Sequence, residues 1–557
     1  MTADRTATRW NGWGLNDETY ELGKRAPAFW NWVATTLGMD TLPDTPAPSV
    51  DEMDIPDSRL SEELRNGFAA LVTDGYVKTD KYERLFHARG KSYIDLIEIR
   101  QGKLDRVPDA VLYPGTAAEV QACLKYASEN NVTIVPFGGG SSVVGAVTAK
   151  GKTSTAICVT LDTTRLDKII KVNKTDMTAK IEAGKYGPEI EKALQAEGVT
   201  LGHYPQSFEF STLGGWISAR GAGQQSGKYG KAEKWLVNTT LATPQGLWET
   251  EDFPASAAAP NLNQLIAGHE GTLGVITDAK VKIHPVPEAK QYRAFYMREF
   301  RHGVDVIRTL VQRGVPVAMA RLSDPDETRF FQAVSTVGSN KALALKAINL
   351  YARRKAGTSP CLMLIGAEGL HAGVDAAMDA ARHIVEARGG VHLGKVLADQ
   401  WYKSRFHSPY LRDPLLDKGV ALDTLETATQ WSNIEKLYRE VMATIQKTMN
   451  SVTPDGQYGI VMCHVSHAYH DGASLYFTYV WPRDPNDPAA QWQRIKTAAS
   501  DAIAVHGGTI SHHHGVGTDH RQWLDREKGK LGMATLQAAK DVLDPAGILN
   551  PHKSFAD

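Results

Sequence analysis

Read for the spacing of apolar side chains, the chain changes texture twice. The first hundred residues look mainly helical and polar, with a Pro- and Asp-rich loop over 41–58. From about Leu104, short apolar runs alternate with helical spacing. Residues 109–113 read as a strand and Pro114-Gly115 as a turn. Thr116 with Glu119 then opens a helix in the manner of a capping box, and Val120, Cys123, Leu124 and Ala127 continue it. Strands follow over 132–136, 156–161 and 177–183, and a helix runs from Pro188 to Gly198. After Pro285-Val286-Pro287 the units lengthen, with helices over 304–313, 341–355 and 374–388. Strands are expected over 317–321, 361–366, 459–465 and 474–480. A chain of 557 residues exceeds a single core. The pattern predicts an α+β protein in four parts: a mostly helical region over 1–103, one domain over 104–286, a second α+β domain over 287–506, and a C-terminal region over 507–557.

Composition narrows the function classes. Sixty-two basic residues against sixty-three acidic ones leave a net charge of -1, so no global positive field draws a nucleic acid. Cys123, Cys158, Cys361 and Cys463 lie far apart with no C-x-x-C pair, which excludes a disulfide framework and a zinc ribbon. The N-terminus lacks a secretory pattern, no apolar run is long enough to cross a bilayer, and SFAD is not a peroxisomal address. A cytoplasmic protein is expected. The segment 341–355, KALALKAINLYARRK, carries five basic residues and no acidic one, which predicts a peripheral contact with an anionic membrane.

Candidate chemistry begins where the strand over 132–136 runs into Pro136-Phe137-Gly138-Gly139-Gly140-Ser141-Ser142. Successive glycines let the backbone approach a ligand closely, and their N–H groups can converge on an anion. The spacing is not G-x-G-x-x-G, so a Rossmann turn fits poorly. A second cluster, Gln206-Ser207-Phe208-Glu209-Phe210-Ser211-Thr212 with Leu213-Gly214-Gly215-Trp216, leads to Ala219-Arg220-Gly221-Ala222. A third is Glu270-Gly271-Thr272-Leu273-Gly274-Val275-Ile276. Clusters of this kind suit an elongated ligand with a pyrophosphate in its middle.

PFGGGSS, FSTLGGW and EGTLGVIT, in this order, resemble the PCMH-type FAD-binding domain of the vanillyl-alcohol-oxidase superfamily. The resemblance implies FAD as cofactor, held by Pro136–Ser142, Gln206–Thr212, Ala219–Ala222 and Glu270–Ile276, in a two-subdomain fold with an α+β cap domain. RWNGWG at Arg9, FHARG at Phe86, Gly202-His203 and SHHHGVG at Ser511 extend the likeness to the alkyldihydroxyacetonephosphate synthases. Such enzymes exchange the acyl group of acyl-dihydroxyacetonephosphate for a fatty alcohol, redox-neutral through a flavin N5 adduct. The resemblance implies Tyr476 as the acid/base tyrosine, Arg412 as the substrate-binding arginine, Arg321 as a further arginine needed for activity, and His512, His513 and His514 as the active-site loop. Gln206 and Ala219 depart from the animal enzymes, which carry an acid and a hydroxyl residue there. A homodimer is expected.

The residues alone leave blander readings open. Tyr476, in an alternating strand, reads equally as a core tyrosine, and a lone arginine such as Arg321 or Arg412 as a salt-bridge residue. A tyrosine near pKa 10 becomes a base only where neighbouring cations lower it. Three histidines on an extended segment alternate faces, so at most two are expected to share a site. His464, His467 and His470 recur every three residues, a ligand spacing suited to a helix, but the segment reads as extended and no metal is expected. The rival function is an FAD-dependent 2-hydroxy-acid dehydrogenase or oxidase on the same scaffold.

Overall fold

The computed structural model describes residues 5–339, 357 and 359–555; the basic segment over 341–355 lies outside them. The architecture is α+β. Ala110–Leu112, Cys158–Asp162 and Thr133–Phe137 form parallel neighbours in a four-stranded sheet, which Val77–Lys78 closes antiparallel at one edge. A five-stranded antiparallel sheet follows, in the order Ile169–Asn173, Thr178–Glu182, Val275–Lys282, Leu236–Thr243, Gly246–Glu249.

Local signals formed much as the spacing predicts. The helix Ala117–Glu129 starts at Thr116, whose side chain accepts from Glu119 N at 3.1 Å. Glu119, however, reaches back to Gly115 N at 2.7 Å, so the box closes one residue early. The N-terminal region differs more. Its helix Tyr93–Arg100 is almost wholly buried, with Leu96 and Ile99 in the same core as the C-terminal sheet, so it is not the polar region that composition suggests. Tyr93 packs on Trp481 at 5.2 Å, a contact between residues too far apart in sequence for local patterning to reveal.

The C-terminal half is built on a seven-stranded antiparallel sheet: Val391–Gly394, Ala289–Met297, Cys361–Gly369, Met319–Ser323, Ile460–Ala468, Gly472–Pro482, Val420–Gln430. Its last three strands decide where the chemistry sits. Cys463, Phe477 and Leu425 pair across them and are buried, forming an apolar face. The helix Ile434–Val452 lays Ile434, Leu437, Val441, Ile445 and Met449, at helical spacing, into that core. One residue on, His464, Tyr476 and Glu426 also pair directly across the three strands. Side chains alternate faces, so these polar groups line up on the opposite side.

Candidate active site

Three glycine-rich clusters, distant in sequence, meet at the end of Thr133–Phe137. A Cβ on Gly138 would stand 2.4 Å from Thr212 Oγ1, one on Gly139 2.0 Å from the Phe210 carbonyl oxygen, and one on Gly271 2.8 Å from the Pro136 ring. Glu270 N donates to Ser218 O at 3.0 Å, joining the third cluster to the second. Gly140 and Gly271 take φ of 67° and 79°, a region that a side chain would strain. The N-terminal segment crosses this cradle. Arg5 donates to Gly138 O and Tyr186 Oη, both at 2.6 Å, and to buried Asp162 at 2.5 Å. Lys91 donates to the carbonyls of Arg9 and Trp10 at 3.0 and 2.9 Å. A small cleft remains between segment and cradle, lined by Thr8, Trp13, Lys91, Gly140, Ser141 and Phe210.

These features fit a dinucleotide. Thr212 Oγ1 is buried without a partner beside Gly138, a hydroxyl free to bond a ligand oxygen. The outer members of the predicted set lie differently. Gln206 sits at the rim and donates to Arg405 O at 2.6 Å, Phe208 stacks on Phe406, and Arg220 turns away to Gln264 at 2.7 Å. Leu273 and Ile276 point into the core under the five-stranded sheet. Glu270 turns its carboxylate to Val516 N and Gly517 N, each near 3.1 Å, and so ties the C-terminal loop to the cradle. Burial pushes Glu270 up to about 7, although those N–H groups oppose the shift.

The histidine loop is not extended, and all three of its histidines take part. Glu426, fully buried, accepts from the backbone N–H groups of His512, His513 and His514 at 2.5, 3.0 and 2.8 Å, and from Ser511 Oγ at 2.7 Å. Gathering consecutive amides on one carboxylate curls the chain into a nest, and the rings crowd together instead of alternating. Burial would raise Glu426, but His513, His514, His512 and the donated N–H groups bring it well below the usual carboxylate range. From the opposite side Lys231 donates to the His512 carbonyl.

Tyr476 is half-buried, stacked on His464 at 4.8 Å and edge-on to His514 at 5.5 Å. Burial pushes its phenol up to about 12, against a hydrogen bond with Thr424. Arg321 opposes that rise without outweighing burial, and the imidazoles beside it are themselves held uncharged. Burial lowers His513 and His514, outweighing Glu426. Arg321 donates to Glu327 and meets His464 Nδ1, both at 3.0 Å, and His464 lies 2.7 Å from Glu327. Burial would raise Glu327, yet His464 and Arg321 hold it at about 2. Arg412 donates to Lys91 O at 2.7 Å, and its Nε is buried without a partner.

The structure thus brings Tyr476, Arg321 and the three loop histidines into one cluster, with Arg412 near enough to Tyr476 to interact with its charge. Sequence reading missed Glu426, Lys231, Tyr469 and Glu327. One signal was available: in VALDTLETATQ the acid at 426 stands directly after core-phase Leu425, in a strand with almost no other charge. His470 is exposed and separate from His464 and His467, so the three-residue spacing forms no single group.

Residues 108–251 match the family described as "FAD binding domain", and residues 286–554 match "FAD linked oxidases, C-terminal domain". The chain is 34% identical to the alkyldihydroxyacetonephosphate synthase of Dictyostelium discoideum, over 92% of this chain and 84% of that protein. It is 31% identical to the synthase of the same name from Caenorhabditis elegans, over 97% of this chain and 94% of that one. A solved alkyldihydroxyacetonephosphate synthase superposes with a TM-score of 0.85 at 31% identity, covering 98% of this chain and 99% of that chain.

Proposed function

The chain belongs to the alkyldihydroxyacetonephosphate synthase family, and from that premise we propose how its own residues carry the family's reaction. It is an FAD-dependent enzyme that replaces the acyl group of acyl-dihydroxyacetonephosphate with a fatty alcohol and so forms an ether bond. When bound, FAD supplies an electron sink beside the substrate carbon and ends each turnover in its starting redox state. Pro136–Ser142, Thr212, Gly221 and Gly271 would hold it.

The observation that carries the mechanism is the packing of the Tyr476 ring beside His513 and His514, with centroids 6.1 and 5.5 Å away. Proton removal next to a ketone needs a base, and an uncharged imidazole is one at neutral pH. Tyr476, with a pKa near 12, accepts the substrate proton only as it passes its own to His513 or His514. Tyr476 is therefore a relay, and the loop is the proton store. Glu426 keeps the loop in place and stabilises an imidazolium once formed. Arg412, with its free Nε, binds the substrate phosphate, for which a planar guanidinium is suited. Arg321, already half-neutralised by Glu327, steadies the departing carboxylate.

Incubating the flavin-loaded protein with acyl-dihydroxyacetonephosphate and hexadecanol should give the alkyl ether and free fatty acid by mass spectrometry, with the flavin oxidised throughout. Bleaching of the flavin by 2-hydroxy acids, with no ether formed, would instead favour the dehydrogenase. Within this proposal the enzyme is cytoplasmic, a homodimer, and touches the membrane peripherally. Among the described residues no helix is long and apolar enough to cross a bilayer. Sedimentation and flotation with anionic liposomes test the dimer and the membrane contact.

A further inference from the structure

His467, His512 and His513 each bring one ring nitrogen into a group whose members lie within 4.8 Å of one another. The His467 and His512 rings stack at 5.1 Å, and His513 stands at 71° to His467 at 5.4 Å. His512 Nδ1 faces His513 Nδ1 at 2.9 Å. Plain strand alternation cannot deliver His467 to this place: His464 shares the face of Tyr476, and a residue three further along would point away. The register slip between Val465 and Ala468 turns it back, as bulges beside active sites do.

We propose that these three imidazoles form a binding site for a divalent transition cation of the zinc type, and that the bound ion stops the exchange reaction by occupying the histidines. The cation site stands independently; the inhibition rests on the function proposed above. An all-imidazole set favours Zn²⁺, Cu²⁺ or Ni²⁺ over Mg²⁺ and Ca²⁺, which take oxygen ligands. Ligands about 2.0–2.1 Å from a tetrahedral zinc stand roughly 3.3–3.4 Å apart. The close Nδ1 pair therefore has to open slightly and His467 to close in, both within reach of ring rotation.

The surroundings suit such an ion. Tyr469 Oη lies 2.5 Å from His512 Nε2. By accepting the Nε2–H it leaves the Nδ1 lone pair facing the group, the support that ligating histidines usually receive. The facing Nδ1 atoms need one proton between them, and a cation takes that proton's place. Glu426 Oε2 lies 3.6 Å from His513 Nδ1, and its buried negative charge offsets the ion. Lys231 opposes it from the side of the His512 carbonyl, where its ammonium is already bonded. Among the described residues no further His, Cys, Asp or Glu joins the group, which leaves the fourth position to water or an anionic oxygen.

The test uses the flavin-loaded protein, stripped with a chelator and then dialysed against Zn²⁺. Elemental analysis should find one zinc per chain, X-ray absorption should show imidazole ligands, and exchange activity should fall with occupancy. His467→Gln should lose the zinc while keeping its flavin, and Tyr469→Phe should weaken affinity by about 10- to 100-fold. Equal zinc in wild type and His467→Gln overturns the site, as does zinc that disappears in His464→Gln but not in His467→Gln. Zinc bound with undiminished exchange overturns the inhibition. A metal-free enzyme that makes no ether yet binds zinc at these histidines defeats the proposed reaction and leaves the site standing.

Discussion

Tyr476 and Glu426 face each other across paired strands and divide the work at the level of single side chains. In the proposed reaction the phenol is the reacting group, and the carboxylate holds the histidines it reacts with. Tyr476→Phe should therefore keep full flavin content and lose ether formation by several orders of magnitude, read from initial rates. An unchanged rate would falsify the relay. Glu426→Gln keeps the shape but removes the charge that gathers three N–H groups. Losing a charge-assisted hydrogen bond of this kind costs about 1.5–3 kcal/mol, so a denaturant melt should shift by at least about that amount. Activity should fall with it, because the loop histidines lose their fixed positions.

At the scale of elements, the cradle depends on backbones that touch. Gly139→Ala places a methyl carbon 2.0 Å from the Phe210 carbonyl, so the first two clusters must separate. The expected result is a protein that folds, with overpacking strain of about 1–3 kcal/mol, but retains much less FAD per chain by absorbance. The segment crossing the cradle is fastened by Arg5, whose partner Asp162 is wholly buried with His87 2.9 Å away. Burial alone would lower Arg5, yet Asp162, Tyr186 and Tyr113 together outweigh it and the pKa is raised. Arg5→Met leaves that carboxylate without its cation and should cost about 3–5 kcal/mol in chemical denaturation. A shift under one kcal/mol would mean that His87 and Thr164, whose N–H and hydroxyl both donate to Asp162, suffice.

For the whole molecule, buried histidines set the response to acid. His203, His269, His467 and His520 are each held down to about 3, chiefly by burial, and His464 and the loop histidines are lowered as well. Below about pH 6.5 the unfolded chain protonates these rings and the native one does not, so stability falls as pH falls. Glu270 and Asp519, raised to about 7, and Asp324, raised to about 8, act in the opposite sense but are fewer. The melting temperature should therefore drop between about pH 7 and about pH 5, by circular dichroism. A flat profile would show that the native state takes up protons there.

What the sequence determined by itself is whatever repeats locally or carries a distinctive run: the helix at Thr116, the alternation through Leu475-Tyr476-Phe477, and the three glycine clusters with their likeness to FAD domains. Period and composition are short-range properties, and a cluster of glycines after a strand is visible without knowing what it approaches. Only the tertiary structure decided which amide meets which carboxylate. Glu426 lies 86 residues from His512, and nothing in the intervening chain announces that one buried charge will curl the histidine loop. The neutrality of Tyr476 and its imidazoles was equally out of reach, because it follows from how far packing removes each group from water.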